Sequence, residues 1–159
     1  MARLVGLDIG STTIKVVEIE QSGGRTGKLI AVSLTAMPPK GLSSEESFDQ
    51  MALSEAIKKT YQEAKITTKN VNVALPEALI FTRVIDMPAL SEKELVSAIQ
   101  WEAEQYIPIP LSQAILDYEV MRVGPSAGGH MQVFLVAAPK SLIGKYQKII
   151  EAAGLELVS

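Results

Sequence analysis

The sequence predicts an α/β fold, and three observations lead to that prediction. Short alternating apolar segments typical of strands recur along the chain, segments with apolar residues at helical spacing lie between them, and turns rich in Gly or Pro separate the two kinds. Three strands, a helix and a fourth strand fit within about the first 76 residues, which favours an α/β layer over an all-β sandwich. The 159 residues, 47% of them hydrophobic, are enough to bury a sizeable core.

Residues 1–77 are predicted to form a first subdomain that begins as a strand meander. The segment "GSTT" between the first two strands is short enough for a hairpin connection. The helix that follows the meander has Leu53 and Ile57 on its apolar face, and Ser47 and Gln50 at its start have the spacing of a capping box. The four strands are predicted at residues 4–9, 14–20, 29–37 and 71–75.

Residues 78–154 are predicted to form a second, α+β subdomain with a strand–helix–strand–strand order. Ser91 and Glu94 have the spacing of a capping box at the start of its first helix. The turn "GPSAGG" joins its last two strands, after which Ser141 is expected to cap a final helix and Gly154 to terminate it. Residues 155–159, "LELVS", are predicted to start a strand that returns to the first subdomain.

Composition excludes several classes of function. The net charge is −3 and no basic cluster occurs, so we expect no nucleic-acid partner. Cysteine is absent, which excludes disulfides, thiolate catalysis and Cys-based zinc sites. No apolar run approaches the roughly 20 residues that span a bilayer, and the N-terminus does not resemble a signal peptide. We therefore expect a cytoplasmic protein that contacts the membrane only through a partner.

The opening segment "GLDIGSTTIKVVEIE" is the strongest candidate for a ligand site. Successive N–H groups in a tight turn of small residues form a concavity that binds anions, and hydroxyl groups add donors. Lys15 could reach a phosphate as a point charge, and Asp8 would hold a magnesium ion through water. The residues leave open a plain hairpin whose polar side chains only supply turn chemistry. The small residues of the turn are Gly10, Ser11, Thr12 and Thr13.

Other polar and aromatic residues have simpler explanations. His130 follows "AGG" in a predicted turn and is expected to be an exposed loop residue rather than a metal ligand. Four acidic residues of the second helix are expected to be solvated, so we predict no catalytic residue there. Trp101 lies off the apolar stripe, where it either packs against the first subdomain or anchors a partner. The four acidic residues are Glu92, Glu94, Glu102 and Glu104.

The opening segment also resembles the first phosphate-binding segment of the actin-like ATPases. Longer stretches are similar to the PilM family of type IV pilus assembly proteins, relatives of the cell-division protein FtsA. These stretches are "TRVIDMPALSEKELVSAIQWEAEQYIPIPL", "LDYEV" and "LVAAPKSLIGKYQKIIEAAGLEL". The resemblance extends from end to end and implies an actin-like (RNase H-like) subdomain, truncated, into which the small α+β subdomain of residues 78–154 is inserted.

The resemblance also assigns roles to the residues of the opening hairpin. It makes Asp8 the acid on the metal side, acting on Mg²⁺ through water, and makes Lys15 a phosphate contact. The small residues cradle the β- and γ-phosphates of ATP or ADP. No catalytic residue is implied within this chain. The cofactor-binding residues expected on this basis are Asp8, Gly10, Ser11, Thr12, Thr13 and Lys15.

For the intact protein, the resemblance implies a cytoplasmic scaffold of the type IV pilus machinery, peripheral to the inner membrane. Such a protein would dock the cytoplasmic N-terminal peptide of the inner-membrane protein PilN, in the groove between its subdomains, and would meet other inner-membrane assembly proteins. The residues that contact the partner are not assigned. Two alternatives remain: an FtsA-like cell-division protein, and a small-molecule kinase of the actin-like superfamily, for which no catalytic Asp or sugar pocket is visible.

The length departs from the resemblance, because PilM relatives continue to roughly twice this size. The second phosphate loop and the adenosine pocket would lie beyond residue 159, so we expect a truncated chain that is inactive and binds no nucleotide tightly by itself. An unpaired strand edge in the first subdomain leads us to expect self-association of this chain.

Overall fold

The structure, a computed structural model, describes residues 2–23, 26–123 and 129–159. The chain divides into two compact units. Unit 1 contains Met1–Pro76 together with Lys145–Ser159, and unit 2 contains Glu77–Gly144. The first boundary lies one residue before the predicted one. The return to unit 1 begins ten residues before the predicted position 155.

Unit 1 is built on a five-stranded sheet with the order β3-β2-β1-β4-β8. The first three strands form an antiparallel meander, and β4 and β8 extend it in parallel. The mixed directions are those of an α/β layer, as predicted. The strands are β1 (Ala2–Ile9), β2 (Thr13–Gln21), β3 (Gly27–Ala36), β4 (Asn70–Ala74) and β8 (Glu156–Leu157).

One face of this sheet carries the core of unit 1. Alternate residues of β1 and β2 point to that face and are almost fully buried, among them Leu7, Ile9, Ile14 and Val16. Helix α1 (Ser47–Glu63) packs on β2 and β3. The Ser54 hydroxyl of α1 donates a hydrogen bond to the Ile149 carbonyl, which fixes the two helical segments of unit 1 side by side. The opposite face of the sheet carries no helix in the described residues.

The helix starts agree with the sequence in one case and differ in two. Helix α2 (Glu92–Tyr106) begins at the predicted box, where the Glu94 carboxylate accepts hydrogen bonds from the Ser91 amide and hydroxyl. The predicted box of Ser47 is wrong, because α1 starts at Ser47 itself and Glu46 occupies the capping position. Helix α3 (Lys140–Ala152) starts one residue before its predicted cap, Ser141.

Unit 2 is a three-stranded antiparallel sheet with α2 on one face. The order of its elements, strand–helix–strand–strand, is the predicted one, and the sheet order is β5-β7-β6. Its core joins Ile85 and Met87 of β5, Leu95 and Ile99 of α2, and the inward side chains of β7. The predicted turn "GPSAGG" falls almost entirely outside the described residues. The strands are β5 (Phe81–Pro88), β6 (Ala114–Val123) and β7 (His130–Pro139).

The boundary between the units falls within α3. The second half of this helix belongs to unit 1, where Tyr146, Ile149 and Ile150 are almost fully buried. Gly154, with a φ of 79°, follows the helix in the left-handed conformation that glycine adopts most easily, so the predicted helix end is confirmed. The chain then enters β8, which pairs with β4 through Asn70 opposite Glu156.

Candidate functional site

The predicted hairpin between β1 and β2 is present. Ile9 lies opposite Ile14, and the Gly10 amide donates a 3.0 Å hydrogen bond to the Thr13 carbonyl, which closes the turn. A Cβ atom on Gly10 would stand 3.0 Å from that carbonyl oxygen, so the tight closure favours a residue without a side chain. The Thr12 carbonyl accepts a hydrogen bond from the Met37 amide at the end of β3. The turn is therefore held at both ends.

The tip of the hairpin offers free donors. Ser11 and Thr12 are exposed, and their amides donate no hydrogen bond within the part of the chain that the structure describes. Their hydroxyl groups are likewise without a partner there. Unpaired amides at a fixed turn, next to hydroxyls, are donors that a phosphate group can accept from. The arrangement has the chemistry predicted for a phosphate cradle.

Asp8 and Lys15 form an ion pair beside this tip. They are directly opposite each other in the β1–β2 register, and the Lys15 Nζ lies 3.0 Å from an oxygen of Asp8. Both side chains are about half exposed and point away from the core face of the sheet. A cation and a carboxylate thus stand within reach of the same ligand position. In water such a pair contributes little to stability, which leaves it free to exchange partners.

A tyrosine hydroxyl is buried in the core of unit 1. Tyr146 of α3 is 1% exposed, and its hydroxyl has no hydrogen-bond partner among the described residues. Burial and, second, the negative charge of Asp8 raise the pKa of Tyr146 to about 12. Tyr146 is therefore a buried neutral group whose pKa depends mainly on burial and secondly on the charge of Asp8. Sequence reasoning missed this relation, because nothing in the local pattern links residue 146 to residue 8.

A shallow depression opens beside the hairpin on the face of the sheet that carries no helix. It has a volume of about 500 Å³ and lies over Gly6, where a side chain is absent and a Cβ atom would meet nothing within 4 Å. The Asn72 side-chain amide donates to the Val5 carbonyl across the same strands. The lining of the depression includes Asp8, Lys15, Val17, Asn72 and Ala74. The depression places open volume directly next to the ion pair.

The residues present fit a magnesium nucleotide better than a bare metal ion. The described residues contain no group of three or more acidic or histidine side chains that could hold an ion by themselves. Mg²⁺ bound with a nucleotide keeps several waters and needs only one or two carboxylates besides the phosphates. Asp8 supplies one carboxylate, and the neighbouring amides, hydroxyls and Lys15 supply donors for phosphate. The assignment of these residues to a cofactor stays a prediction.

The structure also gives the exposure of the other polar and aromatic residues considered in the sequence analysis. His130 is exposed, at the first position of β7. Glu92, Glu94 and Glu104 are exposed on α2, and Glu102 is partly buried. Trp101 is 64% exposed, so its own unit does not cover it. No helix among the described residues is both long and apolar enough to cross a membrane.

Comparison with known proteins finds similarity over nearly the whole chain. A family described as "Type IV pilus assembly protein PilM" matches residues 6–158. Among solved structures, a "PilM-PilN type IV pilus biogenesis complex" is similar with a TM-score of 0.83 and 31% identity, covering 98% of this chain and 46% of that one.

Two more distant similarities agree with the fold. The cell division protein FtsA of Streptococcus pneumoniae serotype 2 (strain D39 / NCTC 7466) is 25% identical over 175 residues, covering 96% of this chain and 38% of that protein. The cytoplasmic domain of EpsL, an inner-membrane component of the Vibrio cholerae type II secretion system, has a TM-score of 0.57 at 11% identity and shows the fold alone. It covers 98% of this chain and 55% of that one.

The chain thus spans less than half the length of the PilM and FtsA relatives that it matches. Over that span its α/β architecture is the corresponding part of the actin-like fold of PilM. The family match over residues 6–158 and the agreement of the structures point to one assignment. The chain belongs to the PilM family of type IV pilus assembly proteins.

Proposed function

We propose that the hairpin from Asp8 to Lys15 is the phosphate site of a nucleotide-dependent scaffold in type IV pilus assembly. The observation that carries this proposal is the fixed turn with free Ser11 and Thr12 amides next to the Asp8–Lys15 pair. The intact protein would bind ATP or ADP with Mg²⁺ and would dock the cytoplasmic N-terminal peptide of a PilN protein. It would lie in the cytoplasm, held at the inner membrane by that partner and by other assembly proteins.

Each residue of the hairpin has a defined task in this proposal. The amides and hydroxyls of Ser11 and Thr12, with Gly10 and Thr13 shaping the turn, donate to the β- and γ-phosphate oxygens. Lys15, which pairs with Asp8 in this structure, would hold a phosphate oxygen, and Asp8 would hold the magnesium ion through its bound water. When bound, the ion neutralises phosphate charge.

In this proposal the nucleotide has a conformational role and is not turned over rapidly. Asp8 is the only acidic side chain between residues 8 and 15 and in the lining of the depression, and its proposed task is to orient magnesium-bound water. No second carboxylate stands there to activate a nucleophile. Affinity in nucleotide clefts comes from groups on two walls, and the chain spans 46% of the solved PilM relative. This chain alone is expected to bind nucleotide weakly.

The nucleotide site can be tested by NMR titration of the ¹⁵N-labelled chain with MgATP and MgADP. We expect shifts centred on the amides of residues 10–13, with an apparent affinity weaker than micromolar. Lys15→Ala should weaken binding by on the order of 1.5–3 kcal/mol, the value of a hydrogen bond to a charged group. Lys28→Ala is the matched control, because Lys28 is exposed on β3 at the end of the sheet far from the hairpin.

Different outcomes test the location of the phosphate site and the expected weak affinity. Shifts that avoid residues 10–13, or a Lys15→Ala variant that binds as well as Lys28→Ala, would refute the phosphate assignment. Micromolar affinity measured by calorimetry would instead show that one wall of the cleft suffices. Loss of binding in Asp8→Asn only when Mg²⁺ is present would support the magnesium role of Asp8.

The partner is tested separately with peptide. The similar solved structure is a PilM-PilN complex, which supports a PilN-type peptide as ligand of this family member. A fluorescent synthetic peptide with the sequence of the cytoplasmic N-terminus of PilN from the same organism should bind, and a scrambled peptide of equal composition should not. Equal binding of both peptides by this chain, and by a longer protein that contains it, would refute the partner assignment.

A further inference from the structure

Strand β3 forms a long edge of the unit 1 sheet without the usual protection. Within the described residues it pairs with β2 alone, so its outer backbone groups have no strand partner. Natural sheet edges are commonly protected by charged side chains, proline, bulges or shortness. From Leu29 to Ala36 the strand has no charged residue and no proline. The one irregularity in its pairing lies opposite Glu18 and Ile19, which leaves the stretch after it regular.

The strand at the other edge of the same sheet is much shorter. Strand β8 is two residues long, Glu156–Leu157, and carries a charge at its first position. The contrast identifies β3, with its ten residues, as the edge of unit 1 that is open to pairing.

The side chains next to this edge are apolar and exposed. On β3, Leu29, Val32 and Leu34 are each about 60% exposed, and Val32 lies beside Val17 of β2. Leu4 of β1 continues the apolar surface on the same face. Contiguous apolar surface of this kind indicates an interaction site. Because it continues to the unpaired edge, a partner strand would bury the β3 side chains while completing the backbone hydrogen bonds.

We propose that two copies of this chain associate through β3, antiparallel, to form a continuous ten-stranded sheet. The partner is a second copy because the strand complements itself: its centre, residues 32–34, is uncharged, and its single charged residue lies at one end. In an antiparallel pair, the two Lys28 side chains stand on the order of 30 Å apart, whereas a parallel pair would place them side by side. The charge pattern therefore selects the antiparallel arrangement.

A two-fold axis perpendicular to the sheet satisfies this arrangement. Residues opposite each other in an antiparallel pair point to the same face, so the exposed faces of the two copies become one. Val32 and Leu34 of each copy then meet around the axis, and each core face keeps its own helices. The contact is isologous and closes at two copies, so it predicts a dimer and no fibre. The proposal does not depend on nucleotide or peptide binding.

Sedimentation velocity over a concentration series tests the proposal with the 159-residue chain. We expect a species of twice the monomer mass of 17.1 kDa. Val32→Lys should abolish it, because a charge would be placed at the centre of the edge. Leu4→Lys is the control: Leu4 is exposed on the same face but two strands away from the edge. Circular dichroism checks that both variants are folded.

Each outcome decides between the edge and the face. A dimer that survives Leu4→Lys and is lost in Val32→Lys supports edge pairing. Loss of the dimer in both variants indicates that the sheets stack face to face, which overturns the proposal. A chain that stays monomeric at high concentration, or that forms larger aggregates without a dimer, also overturns it.

Cysteine crosslinking provides a second measurement that does not rely on disrupting the strand. The chain has no cysteine, so a single introduced thiol reports on its own position. Only residues near the two-fold axis can form a disulfide with their own copy, because the Cα atoms must approach within about 7 Å. We expect crosslinked dimers from cysteines at positions 32–34 and none from Lys28→Cys. Crosslinking that is strongest at position 28 would show a parallel pair and refute the antiparallel arrangement.

Discussion

Glu18 is a carboxylate in the core of unit 1, where strands normally place apolar side chains. It is 2% exposed, and among the described residues its cationic neighbour is the half-exposed Arg3, with 3.5 Å between Nη1 and Oε1. Neither that carboxylate oxygen nor the Tyr61 hydroxyl has a hydrogen-bond partner in the described residues. Burial and the charge of Glu18 both raise the pKa of Tyr61. Buried polar groups without partners lower the free energy of unfolding.

We predict that Tyr61→Phe does not destabilise the protein. The substitution removes a buried hydroxyl that makes no hydrogen bond and keeps the ring, so the free energy of unfolding should be unchanged or higher by up to about 1 kcal/mol. Urea denaturation measures it. Tyr61→Leu is a control for the ring, and it should be clearly destabilising because it leaves a cavity. A loss above about 1 kcal/mol in Tyr61→Phe would mean that the hydroxyl has a partner in solution.

Glycine substitutions test how tightly the hairpin is closed. Gly10→Ala should lower the free energy of unfolding by about 1–3 kcal/mol, because the new Cβ would crowd the Thr13 carbonyl in a packed turn. Gly6→Ala has open space, so it should be neutral or slightly stabilising. Thermal denaturation of the two variants compares them directly. Equal stability of the two would show that the turn relaxes around the added methyl group.

The sequence predicted the hairpin but not the side chains beneath it. A strand was expected at 14–20, and its residues Ile14 and Val16 are buried. Strict alternation continues to Glu18, which is buried, and leaves Val17 exposed, although hydrophobicity favours the reverse. The pairing of β2 with β1 sets which residues point to the core face, and this register outweighs the preference of a single residue for burial or exposure.

At the scale of elements, the sequence predicted a helix start only where the capping contacts join residues close together in the chain. The Ser91–Glu94 box involves residues three apart and was found as expected. The start of α1 uses a different arrangement, in which Ser44 donates to the Asp49 carboxylate and accepts from the Glu46 amide. Lys40 also pairs with Asp49. These contacts join the first turn of α1 to the segment before the helix, and the capping-box pattern, which considers two residues three apart, does not detect them.

The capping box predicts a specific response to pH. Hydrogen bonds from the Ser91 side chain and backbone lower the pKa of Glu94. A carboxyl group whose pKa is lower in the folded state stabilises the fold above the unfolded value of about 4.3, and that contribution disappears as the pH falls through the folded value. Stability should therefore fall on acidification from pH 6 toward and below about pH 4.

Glu94→Gln isolates the contribution of this carboxylate. The variant should be less stable than the wild type at pH 6, and the difference should shrink as the pH falls below the unfolded value of about 4.3 and through the lower folded-state pKa of Glu94. Chemical denaturation at a series of pH values measures both curves. Glu104→Gln, exposed on the same helix, is the control and should follow the wild type. Parallel curves for wild type and Glu94→Gln would contradict the assignment.

At the scale of the whole molecule, the order of elements was predictable, and the contacts between distant segments were not. Hydrophobic periodicity gave the meander, the helices and the strand–helix–strand–strand order of unit 2. It could not show that α3 supplies its second half to unit 1, or that the charge of Asp8 contributes to the raised pKa of Tyr146, because both depend on how residues far apart in the chain pack together. The depression over Gly6 was not predictable for the same reason, because it depends on the pairing of β1 with the distant strand β4.

Two compact units, each with its own buried side chains, predict local responses to core mutations. Leu135 is 2% exposed in the core of unit 2, and Ile57 is fully buried in unit 1. Leu135→Ala and Ile57→Ala should each cost about 2–5 kcal/mol in the unit that contains them. Proteins open in cooperative units that often coincide with such substructures.

Hydrogen exchange measured by mass spectrometry locates that cost. Leu135→Ala should reduce protection in β5, β6, β7 and α2 and leave the amides of β1 and β2 protected as in the wild type. Ile57→Ala should have the opposite pattern. The two variants serve as controls for each other, because they remove similar apolar volume from different cores. If either substitution lowers protection equally in all strands, the 159 residues unfold as one cooperative structure, and the two units are not separate in stability.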